Sequence, residues 1–400
     1  MGAINSVRRL TIQTIGLFEA LEPSAEEITI KKQATAKMQS LVQEKWPHLY
    51  LRAFGSSENG FGCGTSDLDI GLFFEDPNEG ITLSWNDRIQ ILASVGSILT
   101  QNTAMELEQF IYSARVPLLK FWDTQYKISI DISVGNPLAL NNTQLLKQYG
   151  QVDSRVRPLV FAIKHWAKQR RINDASNGSL SSYAWINMVI FYLQTRTIPI
   201  VPCIPTDDTC CLVSGNPLTH LGSQEDSVGA LLTGFFHYYA WEFDYKTDVV
   251  SIRAGTTLPK IGKWGLGLGT WRFSIEDPFD LQHDVGRVIF HPKGQLLLID
   301  ELRRAAKMAL DPDCNLEAIC APVAESLCFI CDSGRHAPRD CPEMWLTPTN
   351  PQIPSKPIVT KTSEVKAAKT IPKSTALDSK KRPRRRARSK SNPKKKMMLI

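Results

Sequence analysis

Three aspartates carry the chemistry open to this sequence. Asp67 and Asp69 stand in "SDLDIGLFF", where Leu68, Ile70 and Leu72 alternate with Asp67, Asp69, Gly71 and Phe73. Such alternation is that of a strand, and it places both carboxylates on one face, roughly 7 Å apart at their Cα atoms. Like charges that close repel unless a cation sits between them. Asp131 interrupts "KISIDISV", a second clean alternation with Ile128, Ile130, Ile132 and Val134 on the opposite face. A carboxylate centred in such a strand is costly without a partner. If the two strands are neighbours, three carboxylates converge, a set that favours Mg²⁺ or Mn²⁺ and suits two-metal phosphoryl transfer.

A phosphate substrate needs a cradle, and one precedes the aspartates. Phe54, Gly55 and Ser56 follow the strand pattern "LYLRAF" and open "GSSENGFGCGT". Glycine lets backbone N–H groups approach a phosphate, and serine adds a donor. A second metal site is spelled out near the C-terminus, where Cys328-x2-Cys331-x4-His336-x4-Cys341 supplies three thiolates and an imidazole for tetrahedral Zn²⁺. The spacing is that of a zinc knuckle, except that Gly334 lies one place early and Arg335 intervenes before His336. Fourteen residues cannot build a core, so metal must supply the folding energy. Phe329, Arg335 and Arg339 suit contacts to single-stranded nucleic acid.

The elements that must position these groups follow from pattern. Residues 1–48 read as helices, with Ser24 and Glu27 as a capping box. Strand signals dominate from Tyr50 to Val134. A long helix is expected near Pro158, followed by helical patterns in "SSYAWINMVIFYLQ" and "SVGALLTGFFHYYAWEF". Net charge divides sharply: of 47 Lys/Arg and 40 Asp/Glu, residues 344–400 hold 16 and 2. The basicity thus belongs to a Pro/Ser/Lys-rich tail expected to be disordered, while the body is acidic. No run of about 18 apolar residues predicts a transmembrane helix, and no apolar N-terminal segment predicts secretion. Without a secretory signal, nine cysteines suit thiols or metal ligands better than disulfides.

Gly55-Ser56 followed eleven residues later by Asp67-x-Asp69 resembles the DNA polymerase β-like nucleotidyltransferases. The fuller "FGSSENGFGCGTSDLDI" is similar to the template-independent RNA terminal transferases, the cytoplasmic-type poly(A) polymerases and terminal uridylyltransferases, over roughly residues 10–320. The resemblance implies an α+β, bilobed enzyme: a mixed-sheet catalytic lobe, a helical PAP-associated lobe, a small zinc knuckle and a disordered basic tail. The expected divisions are 1–48, N-terminal helices packing with the central lobe; 49–150, catalytic; 151–322, helical; 326–343, knuckle; and 344–400, tail. It further implies that Asp67 and Asp69 hold both metals while Asp131 helps deprotonate the incoming hydroxyl. Asn142 would contact base and ribose, Lys164, Lys168 and Ser182 the triphosphate, and Tyr183 would stack on the base.

The segment "SIEDPFDLQHDVGRVI" would line the base pocket. In the resembling uridylyltransferases a histidine stands six residues after the Asp of E-D-P, and here Asp277 plus six is His283. Its imidazole can donate to uracil O4, where adenine presents an amino donor, and Asp280 is placed to orient the ring. The expected reaction is transfer of UMP from UTP to RNA 3′ ends with release of pyrophosphate. A poly(A) polymerase using ATP, an inactive RNA-binding adaptor and an RNA-independent dinucleotide synthase are the rivals. The run "KKRPRRRARSKSNPKKK" fits a nuclear import signal read by an import receptor, an RNA-binding arm, or both. The expected location is nucleus, cytoplasm or both.

Overall fold

Residues 2–75, 83–112, 116–135, 137–206, 226–264, 271–323 and 327–345 are described by a computed structural model. The basic run 380–396, and with it the import and RNA-arm expectations, lies outside the described residues.

Two helices open the chain, α1 (Gly2–Leu21) and α2 (Ala25–Lys45). The break between them is set locally. Ser24 caps α2 by accepting from the Glu27 amide at 3.1 Å, and Glu27 accepts from the Ser24 amide at 2.7 Å. The expectation set both helices against the central lobe; the structure separates them. Leu10 of α1 joins the core of the helical lobe, and Phe18 meets Phe161 edge-on at 5.0 Å. Ala34, Met38 and Val42 of α2, one turn apart, are buried in the core of the sheet lobe instead.

That sheet has five strands: β1 (Leu49–Phe54), β2 (Leu68–Phe74), β3 (Met105–Ile111), β4 (Leu118–Asp123) and β5 (Ile128–Val134). Their order is β1-β2-β5-β4-β3, with β2 and β5 parallel and the other neighbours antiparallel. Between β2 and β3 runs a helix that the reading of continuous strand signals passed over, α3 (Trp85–Asn102). Ser84 and Asp87 form its capping box, and Leu92, Val95, Gly96 and Leu99 make its buried stripe. Its apolar positions follow a period of 3.6, but its many Ile, Leu and Val residues also suit a strand.

The helical lobe contains α4 (Pro137–Val152), α5 (Val156–Gln169), α6 (Ser182–Thr195) and α7 (Val228–His237). A small sheet follows, in the order β7-β6-β8, from β6 (Asp248–Val250), β7 (Leu258–Pro259) and β8 (Ser274–Ile275). The helices α8 (Lys260–Trp264), α9 (Pro292–Ala309) and α10 (Leu316–Ile319) complete it. Trp166 of α5 is fully buried, edge-on to Trp185 at 5.4 Å and Phe236 at 4.9 Å. Aromatic pairs of this kind add about 0.5–1.5 kcal/mol each beyond the area they bury. They tie α5, α6 and α7 into one support for the residues that α4, α5 and α6 present. The small sheet was not foreseen, because strands of two or three residues leave almost no periodicity to read.

Candidate active site

Strand register brings the aspartates together. In the parallel pair β2–β5, Asp69 lies directly opposite Asp131, and Asp67 precedes it at the entrance to β2. The apolar partners Ile70 and Ile132, one residue on, are fully buried. Register is therefore specified: a slip of one residue would bury the carboxylates. Burial, and then the charges of Asp131 and Asp67, push the Asp69 carboxyl up to about 7. Asp131 is also raised, because its burial outweighs the attraction of a lysine that sequence reasoning did not single out. That residue is Lys120 of β4, in register with Asp131, whose Nζ donates to both carboxylate oxygens at 3.0 and 2.9 Å. Three carboxylates with a standing electrostatic cost and an all-oxygen donor set fit Mg²⁺.

The Gly55-Ser56 turn is built against this cluster. Gly55 has φ +64°, and a Cβ there would lie 2.4 Å from Asp69 Oδ2, so only glycine allows so close an approach. Its amide donates to Thr143 Oγ1 of α4 at 2.8 Å, which pins the turn to the helical lobe. Lys31 of α2 braces the other side, donating to the Ser66 carbonyl at 2.6 Å and Ser57 Oγ at 3.3 Å. Ser57 in turn donates to the Asp67 carbonyl at 3.0 Å. Thr143 and Lys31 are distant in sequence from the motif they hold, so local pattern could not mark them.

Beside the turn opens a cavity of about 570 Å³. Phe54, Gly55, Ser56, Asp69, Asn142, Lys164, Ser182, Tyr183, Asp277, Asp280 and His283, all expected from the sequence, line it. So does Arg287, which was not expected. At one end Tyr183 donates its hydroxyl to Asn142 Oδ1 at 2.8 Å and lies 3.3 Å from Asp277 Oδ2. Burial, then the Asp277 charge, push the Tyr183 phenol up, so it remains a donor. Asp277 is itself fixed, its Oδ1 accepting from the Phe279 and Asp280 amides at 3.0 Å each. The backbone at His283 is held at both ends, its amide donating to the Asp280 carbonyl and its carbonyl accepting from the Asp277 amide.

Lys164 donates to the Phe61 carbonyl, and burial pushes its ammonium down to about 8, with Lys168 adding to the shift. Ser182 opens α6 behind the N-cap Ser181, so free N–H groups and the positive helix end stand at the cavity wall. Asp67, Asp131 and Lys168 are not among the lining residues. Asp131 is turned onto Lys120, while Asp67 and Lys168 are exposed at the margins.

The knuckle residues converge as their spacing implied. The ligand atoms of Cys328, Cys331, His336 and Cys341 all lie within 4.8 Å of one another. One tetrahedral Zn²⁺ with bonds of about 2.3 Å sets its ligands about 3.8 Å apart, so small side-chain movements would close these four around one ion. His336 Nδ1 lies 3.2 Å from the Ala337 carbonyl, which leaves Nε2 for the metal. Phe329, read above as an RNA-stacking aromatic, is half-buried and packs on Phe290 with ring centroids 6.5 Å apart. Arg335 and Arg339 remain exposed. Among the described residues, no helix is long and apolar enough to cross a membrane.

A family model described as "Poly(A) RNA polymerase, mitochondrial-like, central palm domain" matches residues 10–151. One described as "Cid1 family poly A polymerase" matches residues 227–283. Poly(A) RNA polymerase GLD2 of Danio rerio is 36% identical over 286 residues, which cover 68% of this chain and 57% of that protein. Terminal uridylyltransferase 7 of Homo sapiens is 30% identical over 367 residues, covering 82% of this chain and 24% of that protein. This chain thus spans little more than half of the first relative and about a quarter of the second. A solved structure of the Cid1 poly(U) polymerase with MgGTP bound matches with a TM-score of 0.68 at 27% identity. The match covers 78% of this chain and 98% of that one.

Proposed function

This chain belongs to the poly(A)/poly(U) polymerase family of nucleotidyltransferases, and on that premise we propose that it adds UMP from UTP to RNA 3′ ends without a template. The observation that carries the choice of base is His283, which lines the cavity together with the Asn142–Tyr183–Asp277 cluster. An imidazole N–H suits uracil O4, whereas the adenine amino group would face it donor to donor.

In the reaction the RNA 3′-oxygen attacks the α-phosphorus of UTP. A new P–O bond forms, the hydroxyl proton passes toward Asp131 and on to solvent, the bond to the bridging oxygen of the β-phosphate breaks, and pyrophosphate leaves. The Gly55-Ser56 turn, Lys164 and Ser182 would hold the triphosphate, and the exposed Lys168, close enough for its charge to act on Lys164, would add to the positive field there. Tyr183 presents its ring face to the base, and its hydroxyl fixes Asn142 against the base and ribose. Asp67, Asp69 and Asp131 would hold Mg²⁺, which supplies charge neutralisation at the transferred phosphoryl group and activates the attacking oxygen. Lys120 offsets part of the carboxylate charge and orients Asp131. Catalysis on this reading is mainly positioning and electrostatic stabilisation. The basic run 380–396 would draw RNA to an acidic body, act as a nuclear address, or do both.

The test is to incubate the purified chain with labelled RNA, Mg²⁺ and each nucleoside triphosphate in turn. Extension with UTP well above that with ATP is the expected result. Preferential extension with ATP would establish the second reading, adenylyl transfer, which the name of the GLD2 relative favours. UTP turnover without RNA would point to dinucleotide synthesis.

A further inference from the structure

The zinc knuckle does not hang free. The ring of Phe329 packs on Phe290 and on the first turn of α9, where a Cβ on Gly294 would lie 3.3 Å from it. The same Gly294 lies against the carbonyl of Gly178, 3.0 Å from where its Cβ would be. Phe290 also covers Gly178, whose Cβ would come within 2.6 Å of the ring. Lys293 donates from Nζ to the Ile330 carbonyl inside the knuckle. On its other flank the knuckle turn Pro338–Asp340 touches the turn Ala175–Asn177.

Both segments that the knuckle grips lead directly into the cavity wall. Residues 175–178 run into Ser181, the N-cap of α6, and then into Ser182 and Tyr183. Asn173, at the start of that loop, bonds Ser182 Oγ at 3.0 Å. Residues 290–294 follow His283 and Arg287 by only a few positions, and a 3₁₀ turn, Val285–Val288, connects them. The knuckle is therefore a clasp across two loops that themselves meet through Phe290, Gly178 and Gly294.

We propose that the metal-loaded knuckle is a brace for the base pocket, with Phe329 and Lys293 as positioning residues that fix the Ser182–Tyr183 and His283–Arg287 segments. The proposal rests on reading the cavity as the nucleotide site. A knuckle of this size folds only around its metal, so loss of zinc would release both loops at once. Its effect would fall on nucleotide affinity and selectivity, not on capture of RNA. Phe329, the side chain that would stack on an RNA base, is already committed to Phe290 and Gly294.

The experiment uses the full chain loaded with zinc, and the variants Phe329→Ala and Lys293→Met, with zinc content measured in each. Equilibrium binding of non-hydrolysable UTP and ATP analogues with Mg²⁺ is compared with binding of a single-stranded RNA, and amide exchange is followed over 174–183 and 283–294. Losing one aromatic contact should weaken UTP-analogue binding roughly three- to tenfold in Phe329→Ala, narrow the UTP/ATP ratio and speed exchange in both segments. RNA affinity should hold. Lys293→Met leaves every zinc ligand and Phe329 in place and should move the same readouts in the same direction, which guards against a merely misfolded knuckle. Zinc-bound variants with wild-type nucleotide affinity and exchange would overturn the proposal. So would a loss confined to RNA affinity, which would make the knuckle an RNA module. If the wild-type chain bound neither analogue, the nucleotide reading itself would fall, a result distinct from either.

Discussion

Replacing Gly55 by alanine tests whether the phosphate turn and the metal cluster are one device. The substitution meets two obstacles. The first is φ +64°, where an L-residue costs about 1–2 kcal/mol. The second is the carboxylate: the new Cβ would lie 2.4 Å from Asp69 Oδ2, about 1 Å inside ordinary contact at roughly 3.5 Å. The backbone penalty leaves most of a typical stability of about 5–15 kcal/mol, so the variant should fold. The clash must be relieved by moving Asp69 or the turn by on the order of 1 Å, and a displacement of that size at a reacting centre costs about 10²-fold. The assay is single-nucleotide addition at saturating UTP, RNA and Mg²⁺, with stability from urea unfolding. The expected result is a fall of about two orders of magnitude in kcat with a stability loss of about 1–2 kcal/mol. A folded Gly55→Ala protein with kcat within about threefold of wild type would refute the coupling, because a 1 Å shift of a metal-holding carboxylate cannot be so cheap.

Four other outcomes follow from the same geometry. Asp131→Ala should fold and add no nucleotide, since it removes repulsion but also one of three metal ligands; substantial addition would sink the three-carboxylate assignment. His283→Ala should narrow the UTP/ATP ratio in kcat/KM by roughly threefold to tenfold, the worth of one hydrogen bond of about 0.5–1.5 kcal/mol, and an unchanged ratio would clear His283 of base selection. Lys164, pushed down to about 8, loses its charge as pH rises through that value, so kcat/KM for UTP should fall above about pH 8, and a Lys164→Met protein that keeps the same alkaline limb would contradict this. The sign for stability is opposite: between about 8 and the ordinary 10.5 the unfolded chain holds the extra proton, so the penalty of burying this ammonium is relieved as pH rises and the folded state gains stability. Deleting residues 344–400, which hold 16 of the 47 Lys/Arg, should flatten the salt dependence of RNA binding; an unchanged slope would leave the segment a targeting role only.

Much of the site was legible because its parts are local. A period of two put Asp69 in one strand and Asp131 among the isoleucines of another, and both strands form, with Asp67 one residue ahead of the first. Ser24 and Glu27 announced the start of α2 because a capping box is complete within four residues. The Cys-x2-Cys-x4-His-x4-Cys spacing sufficed for the knuckle because one ion gathers ligands from a single short loop. Resemblance supplied Asn142, Tyr183 and His283, which pattern alone would have left as an amide, a core aromatic and a surface imidazole.

What required the tertiary structure was everything set by pairing between distant segments. Periodicity makes a strand but does not choose its neighbour, so only the fold put β5 in parallel register with β2 and set Asp69 opposite Asp131. The same holds for Lys120, brought to Asp131 by the β4–β5 pairing, and for Thr143, which meets Gly55 across 88 residues. It holds for Lys31 as well, which looks like any helix lysine until α2 packs on the sheet and not on the helical lobe. The knuckle's metal site could be read from spacing, but its seat on Phe290 and Gly294 could not. Ligand spacing is a property of one loop, whereas a docking face is a property of two surfaces that only the folded chain brings together.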